Sequence, residues 1–250
     1  MSDIYVISTG RNSSRFILKC AQSVKNQILK PKNHIIIDDM SDDDTRFYLD
    51  NINNFNDTTQ VVLNSERKYR LKNIWENSVN KDPEDIICLV DSDDWLANNQ
   101  VLQKVKETYD KNPHYEYVYS KLKLSHGEMG GSLPIPNDDW DPYKNRWITS
   151  HICTFKAKAL QRIPVANFLD WNGEWFQIAT DHAQILPMLY NIWKRDGNYS
   201  SVGFIDEALY VYQFLENKNK PRFNEEGQQR AQFSIQCANF IKQRGYIDHD

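Results

Sequence analysis

Two apolar runs in the first hundred residues end directly in clusters of carboxylates. Residues 34–37 run into an Asp pair at 38–39, and residues 86–90 run into the segment Asp-Ser-Asp-Asp at 91–94. Short apolar runs predict buried strands, and parallel strands place their carboxyl ends at one edge of a sheet. Open α/β sheets bind their ligands at that edge. The two clusters therefore predict an α/β fold with concentrated negative charge at its ligand-binding edge.

Strand-like and helix-like segments alternate through the first half of the chain. Apolar residues at helical spacing from Ile17 to Ile28 predict a helix that Pro31 ends and that Asn12 or Ser13 caps. This alternation predicts a parallel sheet with helices on both faces. The predicted strands cover residues 4–7, 34–37, 61–63 and 86–90, and the predicted helices cover 17–28, 41 or 42 to 49, and 71–79.

The second half of the chain is less regular. Residues 126–147 contain three Gly and three Pro among aromatic side chains, which predicts a long irregular segment. Long ordered loops are usually functional. Around this segment the pattern predicts a helix at 101–109, a strand at 115–120, and helices from about 180 to 195 and from about 225 to 244.

The composition excludes several classes of protein. The net charge of −4 comes without a block of Lys and Arg that could follow a nucleic-acid backbone, so no nucleic-acid partner is expected. The four cysteines form no CxxC pair that would indicate zinc, and their wide spacing indicates no disulfide framework. Without a signal peptide or a run of about 18 apolar residues, we expect no stable membrane insertion. We expect a cytoplasmic protein, in a cell or a virus-infected host cell, that is at most peripheral to a membrane.

The acidic segment at 91–94 predicts a metal site. Crowded carboxylates repel one another and raise one another's pKa unless a cation lies among them. Oxygen ligands at such short spacing suit Mg²⁺ or Mn²⁺, and such an ion can bind a diphosphate. The segment therefore predicts an enzyme that acts on an activated phosphate ester.

The order of these motifs resembles glycosyltransferase family 2, whose members have the GT-A fold. In that family a strand and a short polar turn come first, here residues 4–12, and a second strand ends in paired Asp, here residues 37–42. A basic segment containing Asn follows, here residues 67–73, and then a D-x-D strand end, here residues 91–94. A pair that opens a helix stands well downstream, where this chain has Thr-Asp at 180–181.

The resemblance covers residues 4–96 well and residues 148–190 loosely. It implies an inverting glycosyltransferase that moves a sugar from a UDP-sugar or GDP-sugar to a hydroxyl of a glycan or glycoconjugate acceptor, with Mn²⁺ or Mg²⁺ as cofactor. The implied fold is α/β, with a Rossmann-like, mostly parallel sheet flanked by helices. We predict a single domain over residues 1–250, with a nucleotide-binding half at 1–96 and a more variable acceptor-binding half at 97–250.

The resemblance also implies roles for residues of the donor site. Asp39 and Ser8 are the predicted nucleobase contacts, and Asp91 is predicted to contact ribose or a metal-bound water. The alternative is that the Asp pair caps the next helix and that the basic residues form a solvated helix face. The candidate donor-binding residues are Ser8, Thr9, Arg11, Asp38, Asp39, Asp91 and Ser92, together with Arg67, Arg70 and Lys72, which would meet the diphosphate.

Three further residues are candidate metal ligands. Asp93 is the predicted ligand within the D-x-D motif, Asp94 either binds the metal too or caps a helix at Trp95, and His151 follows the irregular segment. The alternative for the acidic segment is a helix cap alone, and the alternative for His151 is a structural hydrogen-bond donor.

Asp181 is the predicted general base, which would take the proton from the acceptor hydroxyl as that oxygen attacks the anomeric carbon. The alternative is a favourable charge at a helix N-terminus. Glu174 is the second candidate for the base. Aromatic rings could form platforms for an acceptor sugar or could simply pack in the core, and the candidates are Trp140, Trp147, Trp171 and Trp175.

Two other classes of protein also fit part of the pattern. A haloacid-dehalogenase-like phosphatase or phosphotransferase also places D-x-D after a strand, but it would normally have Thr or Val where this chain has Trp95, and it gives no role to the Asp pair at 38–39. A nonenzymatic protein that binds a sugar nucleotide or a carbohydrate would keep the metal site without the base.

Overall fold

The computed structural model describes residues 2–52, 58–214 and 225–248. No helix within these ranges is both long enough and apolar enough to span a bilayer. The strands are β1 (Ile4–Gly10), β2 (Asn33–Asp38), β3 (Thr59–Leu63), β4 (Ile86–Leu89), β5 (Trp95–Leu96), β6 (Tyr117–Leu124), β7 (Cys153–Lys156) and β8 (Val202–Tyr212). The α-helices are α1 (Ile17–Lys25), α2 (Thr45–Ile52), α3 (Tyr69–Ser78), α4 (Val101–Lys111), α5 (Ala157–Gln161), α6 (Thr180–Asp196) and α7 (Glu225–Arg244), with a 3₁₀ helix at Val165–Phe168.

One eight-stranded sheet runs through both halves of the described chain, in the order β3-β2-β1-β4-β7-β6-β8-β5. Strands β3, β2, β1 and β4 are parallel to one another. Strand β7 lies antiparallel between β4 and β6, whereas β8 is parallel to β6 and antiparallel to β5. The predicted α/β architecture, with a mostly parallel sheet flanked by helices, is confirmed.

The central strands are buried on both faces, which explains their continuous apolar sequences. Ile7 and Ile87 pack in a core that includes residues of α3 and α6. Val6, next to Ile7 on β1, and Cys88, next to Ile87 on β4, pack on the opposite face, in a second core with residues of α1 and α4. Because side chains alternate along a strand, each strand needs apolar residues at successive positions to fill both cores.

The register of the sheet places both acidic clusters at one edge, as predicted. Gly10, at the end of β1, pairs with Asp38 at the end of β2. On the other side of β1, the amide of Ser92 donates to the carbonyl oxygen of Thr9 at 3.4 Å. The ends of β1, β2 and β4 therefore form one surface.

The boundaries of the first two helices differ from the prediction. Ile28 lies beyond the end of α1 and is exposed, and the first turn of α1 is closed by the carbonyl oxygen of Ser13, without a side-chain cap. Helix α2 begins at Thr45 and not at 41 or 42. Asp42 instead accepts a hydrogen bond from Arg11 of the neighbouring turn, which keeps this segment outside the helix.

The sequence pattern does not predict strands β5, β7 and β8. Strand β5 has only two residues, and Trp95 begins it, so the predicted alternative of a helix capped at Trp95 is wrong. Strand β8 is half exposed and contains Asp206 and Glu207, which interrupt any apolar run. The long segment at 126–147 is irregular, as predicted.

Buried His34 should make the fold sensitive to acid. Burial lowers the pKa of His34 from its usual 6.5 to about 3. The unfolded chain therefore binds a proton that the folded chain excludes, and stability falls as the pH drops from about 6.5 towards 3. Lowering the pH from 7 to 5 should therefore reduce the unfolding free energy by about 2 kcal/mol through this group. In urea titrations at the two pH values, His34→Gln should lose less stability than the original chain, and equal losses would contradict the assignment.

Candidate active site

The turns that follow β1 and β2 are tied together at the rim of the sheet edge. The Arg11 guanidinium donates to the Met40 carbonyl oxygen at 2.9 Å and to the Asp42 carboxylate at 2.6 Å. Asn12 also donates to Asp42, and both Asn12 and Met40 have positive φ angles. Arg11 thus lies on the rim where the nucleobase contact is predicted, and it also braces the two turns.

Ser8 and Thr9 lie deeper than the predicted nucleobase contacts require. The Ser8 side chain is completely buried, and its hydroxyl contacts His34 Nε2 at 2.9 Å and Cys20 Sγ at 3.5 Å. The Thr9 hydroxyl accepts a hydrogen bond from Asn73 at 3.3 Å. The structure therefore does not bring the Ser8 hydroxyl to the surface of the site, because that side chain points into the core beneath the turn.

Ser92 packs against the end of β1 and does not reach outward. Its hydroxyl lies 2.6 Å from the Ser13 hydroxyl, and the residue is buried. The close approach is possible because position 10 is Gly: a Cβ added there would lie only 1.8 Å from Ser92 Oγ. Gly10 and Ser92 thus hold the acidic segment against the first turn.

Gly10→Ala should therefore lower the unfolding free energy by about 1–3 kcal/mol, the usual cost of overpacking. Adding Ser92→Gly should restore most of this loss, because the clash is with that side chain. Gly131→Ala is the matched control, since a Cβ there would meet no atom within 4 Å. Urea titration of the original chain and the three variants measures the effect, and a Gly10→Ala variant as stable as Gly131→Ala would contradict it.

The two residues of the Asp pair have different surroundings. The Asp39 carboxylate accepts hydrogen bonds from the backbone amides of Lys68 and Tyr69, at 2.8 and 2.9 Å. It also accepts from three side chains: the Arg67 guanidinium at 3.0 Å and the amides of Asn64 and Asn73. Burial by itself raises the pKa of Asp39, but these hydrogen bonds outweigh it and hold that pKa below its usual value. Asp39 thus caps α3, and the predicted alternative of a cap on the next helix, α2, is wrong for this residue.

Asp38 is buried, and only one of its two carboxylate oxygens has hydrogen-bond partners in the described residues. Its Oδ2 accepts from the Arg46 guanidinium at 2.8 Å and from the Ser41 amide at 3.1 Å. Its Oδ1 is buried and has no hydrogen-bond partner within the described residues. This oxygen is closed off from the surface of the site, because the Asp38 side chain is completely buried.

The basic residues near α3 are placed differently from one another. Arg67 is committed to Asp39 and its guanidinium lies over the Tyr69 ring at 4.5 Å. Lys72 is half-buried on the first turns of α3. Arg70 alone of the three contacts the D-x-D segment, with its Nε donating to Asp91 Oδ1 at 2.8 Å.

Asp91, Asp94 and His151 form a cluster in which one potential ligand atom of each lies within 4.8 Å of the others. Asp94 is buried, and it accepts hydrogen bonds from the Tyr210 hydroxyl and the Gln213 amide, both at 2.7 Å. Burial, followed by repulsion from Asp93 and Asp91, raises the pKa of Asp94 to about 8. The His151 ring stacks on Tyr210 with centroids 4.5 Å apart.

This cluster fits a divalent cation. Two carboxylates repel each other there, and His151 Nδ1 is buried without a hydrogen-bond partner in the described part of the chain. Carboxylate oxygens with an imidazole nitrogen are suitable ligands for Mn²⁺. Asp93, the predicted metal ligand, is not a member of this cluster. Asp91 provides the second carboxylate instead.

Asp181 lies beside this cluster in the first turn of α6. Its Oδ1 is 2.9 Å from Arg70 Nη1, and its side chain is 42% exposed. Partial burial by itself raises the pKa of Asp181, but the positive charge of Arg70, with smaller contributions from His151 and His182, outweighs it and lowers that pKa. The helix-terminus alternative accounts for none of these contacts, because they join α6 to α3 and to the edge of the sheet.

Glu174, the second candidate for the base, lies on an exposed hairpin. Its amide donates to the Asp170 side chain at 3.1 Å, and its carbonyl oxygen accepts from the Asp170 amide at 2.7 Å. None of the contacts found for it in the described residues involves the Asp91–Asp94–His151 cluster. The structure thus brings Asp181, and not Glu174, to the acidic cluster.

The four candidate tryptophans lie in different environments. Trp140 is buried and packs edge-to-face on Tyr199, and Trp175 is half-buried against Trp75, so both serve the core. Trp171 is 49% exposed. Trp147 stacks on His182, next to Asp181, with ring centroids 4.5 Å apart. Of the four, Trp147 is thus the one whose ring contacts a neighbour of Asp181.

Several residues of this site carry no recognisable mark in the sequence. Tyr210 and Gln213 complete the surroundings of Asp94 from more than a hundred residues away, and no local pattern marks them. Gln184 is buried one turn after Asp181, and its Oε1 lies 3.4 Å from Arg70 Nη1. Gln184 could have been found only from its spacing to Asp181 along α6, since residues three apart share a helix face.

A model of the family described as "Glycosyl transferase family 2" matches residues 5–162, which is more than half of the chain. The chain belongs to glycosyl transferase family 2. This membership sets aside the haloacid-dehalogenase alternative. None of the curated proteins matches the chain significantly.

Solved glycosyltransferase structures share the fold of this family 2 chain. S. aureus TarS 1-349 with UDP-GlcNAc has a TM-score of 0.60 and 18% identity, over 86% of this chain and 59% of that chain. The mannosyltransferase PcManGT from Pyrobaculum calidifontis with GDP-Man and Mn²⁺ has a TM-score of 0.63 and 13% identity, over 99% and 66%. Glucosyl-3-phosphoglycerate synthase from Mycobacterium tuberculosis with Mn²⁺, UDP and phosphoglyceric acid has a TM-score of 0.61 and 12% identity, over 96% and 79%.

These similarities establish the GT-A fold. This family 2 chain spans less than two thirds of the TarS and PcManGT chains that it matches.

Proposed function

We propose that the chain is a metal-assisted, inverting glycosyltransferase that moves a sugar from a UDP-sugar or GDP-sugar to a hydroxyl of a glycan or glycoconjugate. The observation that carries this proposal is the meeting of the Asp91–Asp94–His151 cluster with Asp181 at the carboxyl edge of the sheet. Family membership and structural neighbours with bound UDP or GDP-Man support it.

The donor would lie along the ends of β1, β2 and β4. Arg11 borders this region, where the Asp pair ends β2. The side chain of Asp39 is 4% exposed, whereas the side chain of Asp38 is completely buried and its unpartnered oxygen is closed to a ligand. We therefore propose Asp39, as the family resemblance implies, as the carboxylate that contacts a base N–H, which both uracil and guanine offer.

Asp91, Asp94 and His151 would hold Mn²⁺ or Mg²⁺. The chemistry supplied there is neutralisation of negative charge on the departing diphosphate. The protein's own part is to keep Asp94 in place through Tyr210 and Gln213.

Asp181 would be the general base. Inversion in a single displacement requires one base on the acceptor side and no covalent intermediate. Asp181 is partly exposed at the edge of the cluster, so it can accept a proton from an acceptor hydroxyl. The half-buried Trp147, which stacks on His182 next to Asp181, would border the acceptor sugar.

An assay of nucleotide release tests the function. UDP-sugars and GDP-sugars are supplied with Mn²⁺, with and without candidate acceptor glycans, and the anomeric configuration of any product is determined by NMR. Acceptor-stimulated release with inversion supports the proposal. Tight nucleotide binding without release under any condition would favour a nonenzymatic sugar-nucleotide-binding protein.

A further inference from the structure

Arg70 connects the two parts of the proposed active site. Its Nε donates to Asp91 Oδ1 at 2.8 Å, and its Nη1 lies 2.9 Å from Asp181 Oδ1. Asp91 follows β4 at the donor edge of the sheet, whereas Asp181 belongs to the first turn of α6. One guanidinium, only 16% exposed, therefore contacts both the metal-binding cluster and the proposed base.

The backbone that carries Arg70 is held in place, but its side chain has alternatives. The Asp39 carboxylate accepts from the amide of Tyr69 immediately before it, at 2.9 Å. Buried Gln184 offers Arg70 a further acceptor at 3.4 Å. A forked guanidinium can exchange one of several acceptors for another while keeping the rest, which a single ammonium group cannot do as well.

We propose that Arg70 is a positioning residue that links donor binding to the base, by leaving Asp181 for the donor's diphosphate when the donor binds. The inference rests on the proposed function. A diphosphate carries more negative charge than one carboxylate and accepts bidentate hydrogen bonds from Arg, so it competes well for this group. Once Arg70 has moved, Asp181 no longer shares its charge with a cation and is a better acceptor for the proton.

This exchange has a thermodynamic consequence. Coupling between two sites is reciprocal, so a contact that donor binding breaks must also oppose donor binding. Removal of the Asp181 charge should therefore strengthen nucleotide binding, and this gain should depend on Arg70.

A double-mutant cycle on the full chain tests the link. Calorimetry would measure the Kd of UDP and of GDP, each with Mn²⁺, for the original chain, Asp181→Asn, Arg70→Gln and the double variant. Asp181→Asn should lower Kd about fivefold or more, the lower end of typical couplings. The same change in the Arg70→Gln background should lower Kd by clearly less.

Each remaining outcome overturns the link. Equal gains in both backgrounds would mean that only the general charge of Asp181 matters, and an unchanged or raised Kd would mean that Arg70 is not released. Glu174→Gln, which removes an exposed carboxylate from the hairpin, is the matched control and should leave Kd unchanged. Asp181→Ala repeats the test if thermal melting shows that Asp181→Asn is misfolded. Failure of the original chain to bind either nucleotide would refute the proposed function itself.

Discussion

Replacing Asp181 with Asn should reduce the rate of sugar transfer by about 10²–10⁴-fold, the usual contribution of a general base. Asn keeps the size of the side chain but lacks the basic oxygen that would take the proton of the acceptor hydroxyl. The side chain is 42% exposed and lies outside the buried core, so the fold should be retained. The measurement is the kcat for acceptor-dependent release of nucleotide, with thermal melting as the check on folding.

The control for Asp181→Asn is Glu174→Gln, which removes the other candidate base from its exposed hairpin. Its transfer rate should stay close to that of the original chain. Full activity in Asp181→Asn, or a product that retains the anomeric configuration of the donor, would refute the role of Asp181. A selective loss in Glu174→Gln would instead identify Glu174 as the base.

Asp94→Asn should remove the part of nucleotide binding that depends on the metal. Loss of residues that merely support metal ligands typically costs about 10–100-fold in metal affinity, and loss of a ligand should cost at least as much. UDP or GDP should raise the melting temperature of the original chain more with Mn²⁺ than with EDTA, because a ligand that binds the folded state stabilises it. In Asp94→Asn this difference should vanish.

Asp93→Asn is the matched control for Asp94→Asn, because it makes the same change one residue away. Asp93 lies outside the cluster of Asp91, Asp94 and His151, so its variant should keep most of the metal-dependent stabilisation. The opposite pattern, with the difference lost in Asp93→Asn and kept in Asp94→Asn, would restore Asp93 as the ligand and contradict the cluster seen in the structure.

Much of the first half of the fold could be predicted because its signals are local. Strand β4 is buried on both faces and shows this as a continuous apolar run, and α1 shows its buried stripe at helical spacing. Strand β8 lacks such a signal, since Asp206 and Glu207 face outward and the pairing with β6 is irregular near Lys121. A strand of this kind is stabilised by its partners and not by its own pattern.

The location of the candidate site could also be predicted, but the roles of its residues could not. The sequence places Ser8 in the first turn, yet its hydroxyl points into the core, because alternate residues of an extended segment face opposite sides. The direction of the side chain also decides between Asp91 and Asp93 as a metal ligand, and the sequence does not give that direction. Asp94 owes its orientation to Tyr210, a contact that no local pattern encodes.

The sequence by itself determined the α/β architecture of the first half, the edge at which the acidic clusters meet, and the family to which the motifs belong. These follow from periodicity and from the order of motifs along the chain, which are local properties. Only the tertiary structure decided that Asp91, Asp94 and His151 form the cluster, and that Arg70 joins it to Asp181. Such contacts depend on how distant segments pack and on the direction of each side chain, and both are settled only when the whole sheet and its helices are assembled.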